Sequence, residues 1–127
     1  MMVQLDSYPF DKLRLPSGET AQWKAHNPTF HRTSDYGIVL TEQALYLRSP
    51  FWLSLARWRR IPLNEIRRIA FKDSYFTPSL RVETCTGTEV LRTPWDYRDD
   101  MNYDRENLRE TEARVRNLVK GMAVVGA

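Results

Sequence analysis

The stretch "YGIVLTEQALYLRS", residues 36–49, decides the fold. Tyr36, Ile38 and Leu40 share one parity, which predicts a strand over 36–41. In "ALYLRS" (44–49), Leu45 and Leu47 fall on one face, with Tyr46 and Arg48 on the other. Only Glu42 and Gln43 separate the two runs, so they predict a hairpin. Pro50 ends the second strand, because it cannot donate to a ladder.

The same alternation extends in both directions. Upstream, "GETAQWKA" (18–25) predicts a first strand, while "HNPTFHRTSD" (26–35) carries turn chemistry at Asn27-Pro28 and Ser34-Asp35. Residues 1–17 have no clean period and contain Pro9 and Pro16, which suggests an irregular lead-in over 1–14. Downstream, "FWLS" (51–54) crosses to a strand in "LARWRRIPL" (55–63), and "PLNEI" (62–66) makes a one-turn bend. A strand follows in "IRRIAFKD" (66–73). "LRVETC" (80–85) and "EVLRTPW" (89–95) form a second hairpin through "TGT".

Strand parity sets a puzzle at Trp58, which lies on the opposite parity to Ile61 and Leu63. No unbroken strand buries both. The expected solution is a bulge near Arg59-Arg60 that buries Trp58, since a buried tryptophan recovers more free energy than an exposed one, whereas a continuous ladder would turn it outward.

After Asp99-Asp100 the period becomes helical. Leu108, Val115, Leu118, Val119 and Met122 fall on one stripe, with Ala113 near its edge and Thr111 and Glu112 filling the gap. Asn102 or Asp104 is the expected cap, and Gly121 the expected C′ residue of a helix over about 104–120. Six or seven short strands followed by one amphipathic helix imply a mainly β, antiparallel sandwich or partly open barrel. The 127 residues suit one domain, with a core over about 15–120 and a tail at 121–127.

In this order "LPSGE", "YGIVLT-EQ-ALYLRS", "RRIPLNEIRRIAF", "LRVET-CTGT-EVLRTP" and a closing helix resemble the bacterial pleckstrin-homology-like (PH-like) and GRAM-like domains. The resemblance covers about residues 15–120 and implies a seven-stranded barrel-like sandwich capped by a C-terminal helix. The chain departs from that pattern in the wide link over 50–56 and in the Trp-containing segment 94–103. The fold hosts lipid, peptide and subunit contacts alike, so the resemblance leaves function open.

Chemistry-bearing residues are sparse. Cys85 is the only cysteine, and the expected reading is an inert thiol on a strand, turned away from Leu80 and Val82. That usage fits a reducing compartment. His26 and His31 lack metal-ligand spacing. The acids Asp96, Asp99, Asp100 and Asp104 lack the order of a calcium loop, and helix-start capping is their expected role. The five glycines form no phosphate-cradling loop. The chain is therefore expected to be no enzyme and to take no cofactor or metal. The first 19 residues show no signal-peptide pattern, and no apolar run has the length of a membrane span, so a cytoplasmic location is expected.

Charge is the remaining signal. Net charge is only +3, yet seven basic residues against Glu65 lie between Arg48 and Lys72. Seven acids against three arginines lie between Asp96 and Glu112. Basic and aromatic residues interleave in "SPFWLSLARWRRIPL" (49–63), but the low overall charge argues against nucleic acid. The expected function is an interaction module that binds a protein partner or forms a homo-oligomer, with peripheral contact at the inner face of the membrane allowed. Its candidate contact residues are Arg48, Phe51, Trp52, Arg57, Arg59 and Arg60. The alternative is a binder of anionic lipid headgroups through the same residues, with Phe51 and Trp52 dipping into the interface.

Overall fold

A computed structural model describes residues 3–4, 10, 13–27, 36–49, 58–73, 78–93 and 101–126. Within them lie strands β1 (Val3–Gln4), β2 (Arg14–Leu15), β3 (Trp23–Ala25), β4 (Gly37–Leu40), β5 (Ala44–Arg48) and β6 (Trp58–Pro62). A 3-10 turn, Leu63–Glu65, leads into β7 (Ile66–Lys72), β8 (Ser79–Thr84) and β9 (Gly87–Arg92), and α1 (Met101–Gly126) follows. The protein is thus mainly β, antiparallel throughout, with one C-terminal helix.

The expected seven-stranded barrel-like sandwich is corrected in its strand count and in its closure. The strands number more than seven, because β1 and β2 add a two-residue pair in the lead-in. The rest form a four-stranded sheet, β3-β4-β5-β6, and a three-stranded sheet, β7-β8-β9, and no ladder joins these sheets among the described residues. The barrel stays open because side chains, rather than strand pairing, span both seams.

At one seam lies α1. Trp23 Nε1 on the β3 edge donates to Thr111 Oγ1 at 2.8 Å, and the Arg114 guanidinium lies 4.5 Å from the Trp23 ring centre. On the β7 edge, the Phe71 N–H donates to Glu112, and Arg116 donates to the Ile69 carbonyl at 3.1 Å. An i,i+4 carboxylate–guanidinium pair on the helix thereby satisfies one donor and one acceptor of an edge strand. At the other seam, Arg59 on β6 pairs with Glu89 on β9.

The hairpin at 36–49 appears as expected, with Thr41 N–H donating to the Ala44 carbonyl at 3.0 Å across the two-residue link. Every residue of β4 and β5 is buried, on both parities. Ile38, Leu40, Leu45, Leu47 and Ile61 face the main core with Leu80, Val82, Leu91, Leu108 and Val115. Val39, Ala44 and Tyr46 face the other way, into a second core with Phe10, Leu13 and Leu15. The lead-in therefore covers the back of the four-stranded sheet.

This second core resolves Trp58. The β5–β6 register runs unbroken from Ala44↔Pro62 to Arg48↔Trp58, so the bulge expected near Arg59-Arg60 is absent. Trp58 lies on the back of the sheet, half-buried, with its ring stacked 5.9 Å from that of Phe10. The register shift sits instead in β7, between Ile66 and Arg68.

The helix also differs from expectation. It starts earlier and runs through Gly121 to Gly126. Its buried face is Asp104, Leu108, Thr111, Val115 and Val119, whereas Leu118 is 39% exposed. Two polar residues replace Leu118 on the inner stripe because each has a bonded partner across the core: Tyr36, just before β4, for Asp104 and Trp23 on β3 for Thr111. Cys85 is exposed in the turn after β8 rather than on the strand.

Replacing Phe10 with alanine should remove the cover of Trp58 and cost about 2–4 kcal/mol in urea unfolding. Leu118→Ser should change stability by less than about 0.5 kcal/mol. The reverse ranking would contradict this packing.

Candidate functional site

The four-stranded sheet carries a buried polar cluster and a committed ion pair, Arg59 with Glu89. The cluster centres on Glu19, 3% exposed on the back of the sheet. A turn delivers it there. The Glu19 N–H bonds the Pro16 carbonyl at 3.1 Å, and Gly18 takes the third position with φ +90°, where a side chain would strain the backbone.

Three groups meet the Glu19 carboxylate. Thr41 Oγ1 and Tyr46 OH each donate to Oε1 at 2.8 Å, and Arg60 Nη2 donates to Oε2 at 2.9 Å. Arg60 Nε also donates to Tyr46 OH at 3.1 Å, and the N–H groups of Gln43 and Ala44 donate to Thr41 Oγ1 at 3.1 Å. The cluster therefore ties the lead-in turn to the β4–β5 link and to β6.

Its electrostatics follow. Burial pushes the Glu19 carboxyl up, but the bonds from Thr41, Tyr46 and Arg60 outweigh it and hold the group below its ordinary range. Burial, then the bond to Glu19, raises the Tyr46 phenol, and the Glu19 bond raises Arg60. The carboxylate stays ionised with donors on both oxygens. That is the state of a structural anchor rather than of a proton-transfer group.

The residues expected to make external contacts are placed differently from one another. Arg59 pairs with Glu89 and donates to Ser49 Oγ at 2.9 Å. Arg60 is committed to Glu19 and Tyr46. Arg48 is 8% exposed, closed off from a flat surface. Phe51, Trp52 and Arg57 lie outside the described residues.

A second set of cations, none of them among the expected contact residues, lies on the outward face of the three-stranded sheet. Register places Ala70, Arg81 and Val90 in one row, Lys72, Ser79 and Arg92 in the next, and Arg68, Glu83 and Thr88 in a third. Arg68, Lys72, Arg81 and Arg92 are exposed around the half-buried Ala70 and Val90. Arg68 has Glu83 at 3.7 Å, a loose surface pair, while Lys72, Arg81 and Arg92 make no ion pair among the described residues.

Comparison with protein-family models, with curated proteins and with solved structures finds no match. No described helix is long and apolar enough to cross a membrane, and no cluster of metal-ligating side chains occurs among the described residues.

Asp104 is the other residue whose placement sequence reading missed. It is buried and accepts from Tyr36 OH at 2.7 Å and Asn27 Nδ2 at 3.1 Å, so it fastens α1 to the loop ends around β3 and β4. Its spacing to Leu108, Thr111 and Val115 carried the signal, since all four fall on one helical face.

The folded Glu19 pKa is lowered, so the cluster contributes stability above the ordinary carboxyl value of 4.5 and loses it as pH falls through the folded value. The folded Tyr46 pKa is raised, so its contribution is present below 10.0 and is lost as pH rises through the folded value. Glu19→Gln should lower stability at neutral pH by about 2 kcal/mol and flatten the acid limb of the profile. Tyr46→Phe should flatten the alkaline limb. Profiles unchanged from those of the parent chain would contradict these roles.

Proposed function

We propose that the chain is a non-catalytic interaction module of PH-like fold that docks an acidic protein surface on the outward face of β7–β9. The observation that carries this reading is the contrast between two sets of cations. Arg59 and Arg60 are spent on internal carboxylates, while Lys72, Arg81 and Arg92 stand exposed on one flat face without an ion-pair partner among the described residues. Cross-strand and diagonal neighbours on a sheet are about 5–8 Å apart, a spacing suited to several carboxylates of a folded partner. The apolar patch of Ala70 and Val90 at the centre supplies area that excludes water.

The PH-like reading rests on order: a four-stranded meander, a three-stranded meander and a closing helix. The non-catalytic reading rests on the saturation of Glu19. A second copy of the chain is one possible source of the acidic surface, and location at the inner face of a membrane fits the same charge. The lipid-headgroup alternative loses Arg59 and Arg60 as free donors and would depend on Phe51, Trp52 and Arg57.

A photo-crosslinking residue at Val90 should capture a discrete protein in the native cell. The Lys72→Glu/Arg81→Glu/Arg92→Glu variant should abolish that product, and added salt should weaken it. No protein product, together with sedimentation of the chain on phosphatidylglycerol vesicles, would favour the lipid alternative. A product indifferent to the charge reversal would contradict the assigned face.

A further inference from the structure

Three side chains make one row across the outward face of β7–β9. Register sets Lys72 on β7 and Arg92 on β9 directly to either side of Ser79 on β8. Opposed residues on antiparallel strands are about 4.5–5.5 Å apart at Cα, so two cations flank one hydroxyl. Lys72 and Arg92 are exposed and make no ion pair among the described residues. Arg81, two residues along β8 on the same face, is a further exposed cation.

Ser79 differs from its neighbours on this face. It is 8% exposed, whereas Lys72, Arg81 and Arg92 around it are exposed. A buried hydroxyl normally finds a partner within the fold. Ser79 Oγ makes no hydrogen bond among the described residues, and it is not sealed from water. The row therefore holds a recessed donor between two cations.

The carboxylates nearest by register and sequence are engaged elsewhere. Asp73, the chain neighbour of Lys72, bonds Arg105 at 2.7 Å and lies 3.6 Å from Arg109. Glu83, two rows away on the same face, lies 3.7 Å from Arg68. No carboxylate of the described residues completes the row.

The donors select the anion. Two cations and a hydroxyl approach from three sides. A carboxylate offers two oxygens in one plane, whereas a phosphate monoester offers three terminal oxygens and nearly two negative charges at neutral pH. The surrounding face is flat, with the half-buried Ala70 and Val90 in the next row, and the exposed large hydrophobic side chain of the described residues, Leu118, lies on α1 instead. That suits a carrier lying along the sheet rather than an acyl chain that needs a slot.

We infer that Lys72, Ser79 and Arg92 form a phosphoryl site that receives a phosphorylated serine or threonine side chain of the protein partner. The inference rests on the docking reading above, which supplies the carrier, and adds the group that the row reads.

Amide-resolved NMR titration of the full chain with an acetylated alanine–phosphoserine–alanine tripeptide should give saturable shifts at Lys72, Ser79 and Arg92. The unphosphorylated tripeptide should give none. Ser79→Ala should weaken the phosphotripeptide about tenfold, the loss of one hydrogen bond to a charged acceptor, and Arg92→Gln by a similar factor. Ser79→Ala breaks no hydrogen bond of the described residues and should keep the parent's unfolding midpoint. No phosphotripeptide binding, or binding unchanged by both substitutions, would overturn the phosphoryl site. A Val90 cross-link that still disappears on charge reversal would then leave the docking face standing. Binding to phosphatidic acid vesicles that depends on Ser79, without phosphotripeptide binding, would overturn the protein source of the phosphoryl group.

Discussion

A carboxylate buried behind a sheet is the constraint on which the outer half of this structure depends. Glu19 is almost fully removed from water, and an unpaired charge there would cost several kcal/mol. The fold meets that demand with three side chains from three separate places: Thr41 from the β4–β5 link, Tyr46 from β5 and Arg60 from β6. Once they converge, the Pro16–Glu19 turn has one position, and the lead-in that carries Phe10, Leu13 and Leu15 is held over the sheet. The second core and the stacking of Trp58 follow from that placement.

The same constraint sorts the arginines. In sequence, Arg57, Trp58, Arg59 and Arg60 look like one basic-aromatic cluster. In the fold, Arg59 and Arg60 leave the strand on opposite faces, as alternation requires, and each meets a carboxylate from a distant segment. Arg59 reaches Glu89 across the seam between sheets, which is one reason an open pair of sheets can behave as a closed body. A further group of exposed cations lies on β7–β9, spread over sequence from Arg68 to Arg92, and only register brings them together.

Legibility in the sequence followed the locality of the cause. The hairpin at 36–49, the hairpin around Gly87, the turn at 63–65 and a closing helix were all readable, because short-range alternation and turn chemistry determine them. Trp58 was misjudged because the reading allowed one core, whereas the residues that cover its face come some 40 positions earlier and have no period of their own. Leu118 was misjudged by counting apolar residues alone. Asp104 and Thr111 share the helical face of Leu108 and Val115, and what the sequence withheld was their hydrogen-bond partners on β3 and before β4, which allow polar groups to be buried there. The closure of the expected barrel-like sandwich was illegible for a related reason: strand spacing gives the number of strands, but side chains spanning the seams join sheets that no ladder joins among the described residues.

The most direct test of this account is a double-mutant cycle between Glu19 and Arg60, with Glu19→Gln and Arg60→Met measured singly and together by urea unfolding. A structural pair sharing one buried cluster should give a coupling energy of about 1–3 kcal/mol, so that the double variant is more stable than the sum of the single losses predicts. Additive losses would show that Arg60 is not committed to the buried carboxylate, and the division between structural and outward-facing arginines would fall with it.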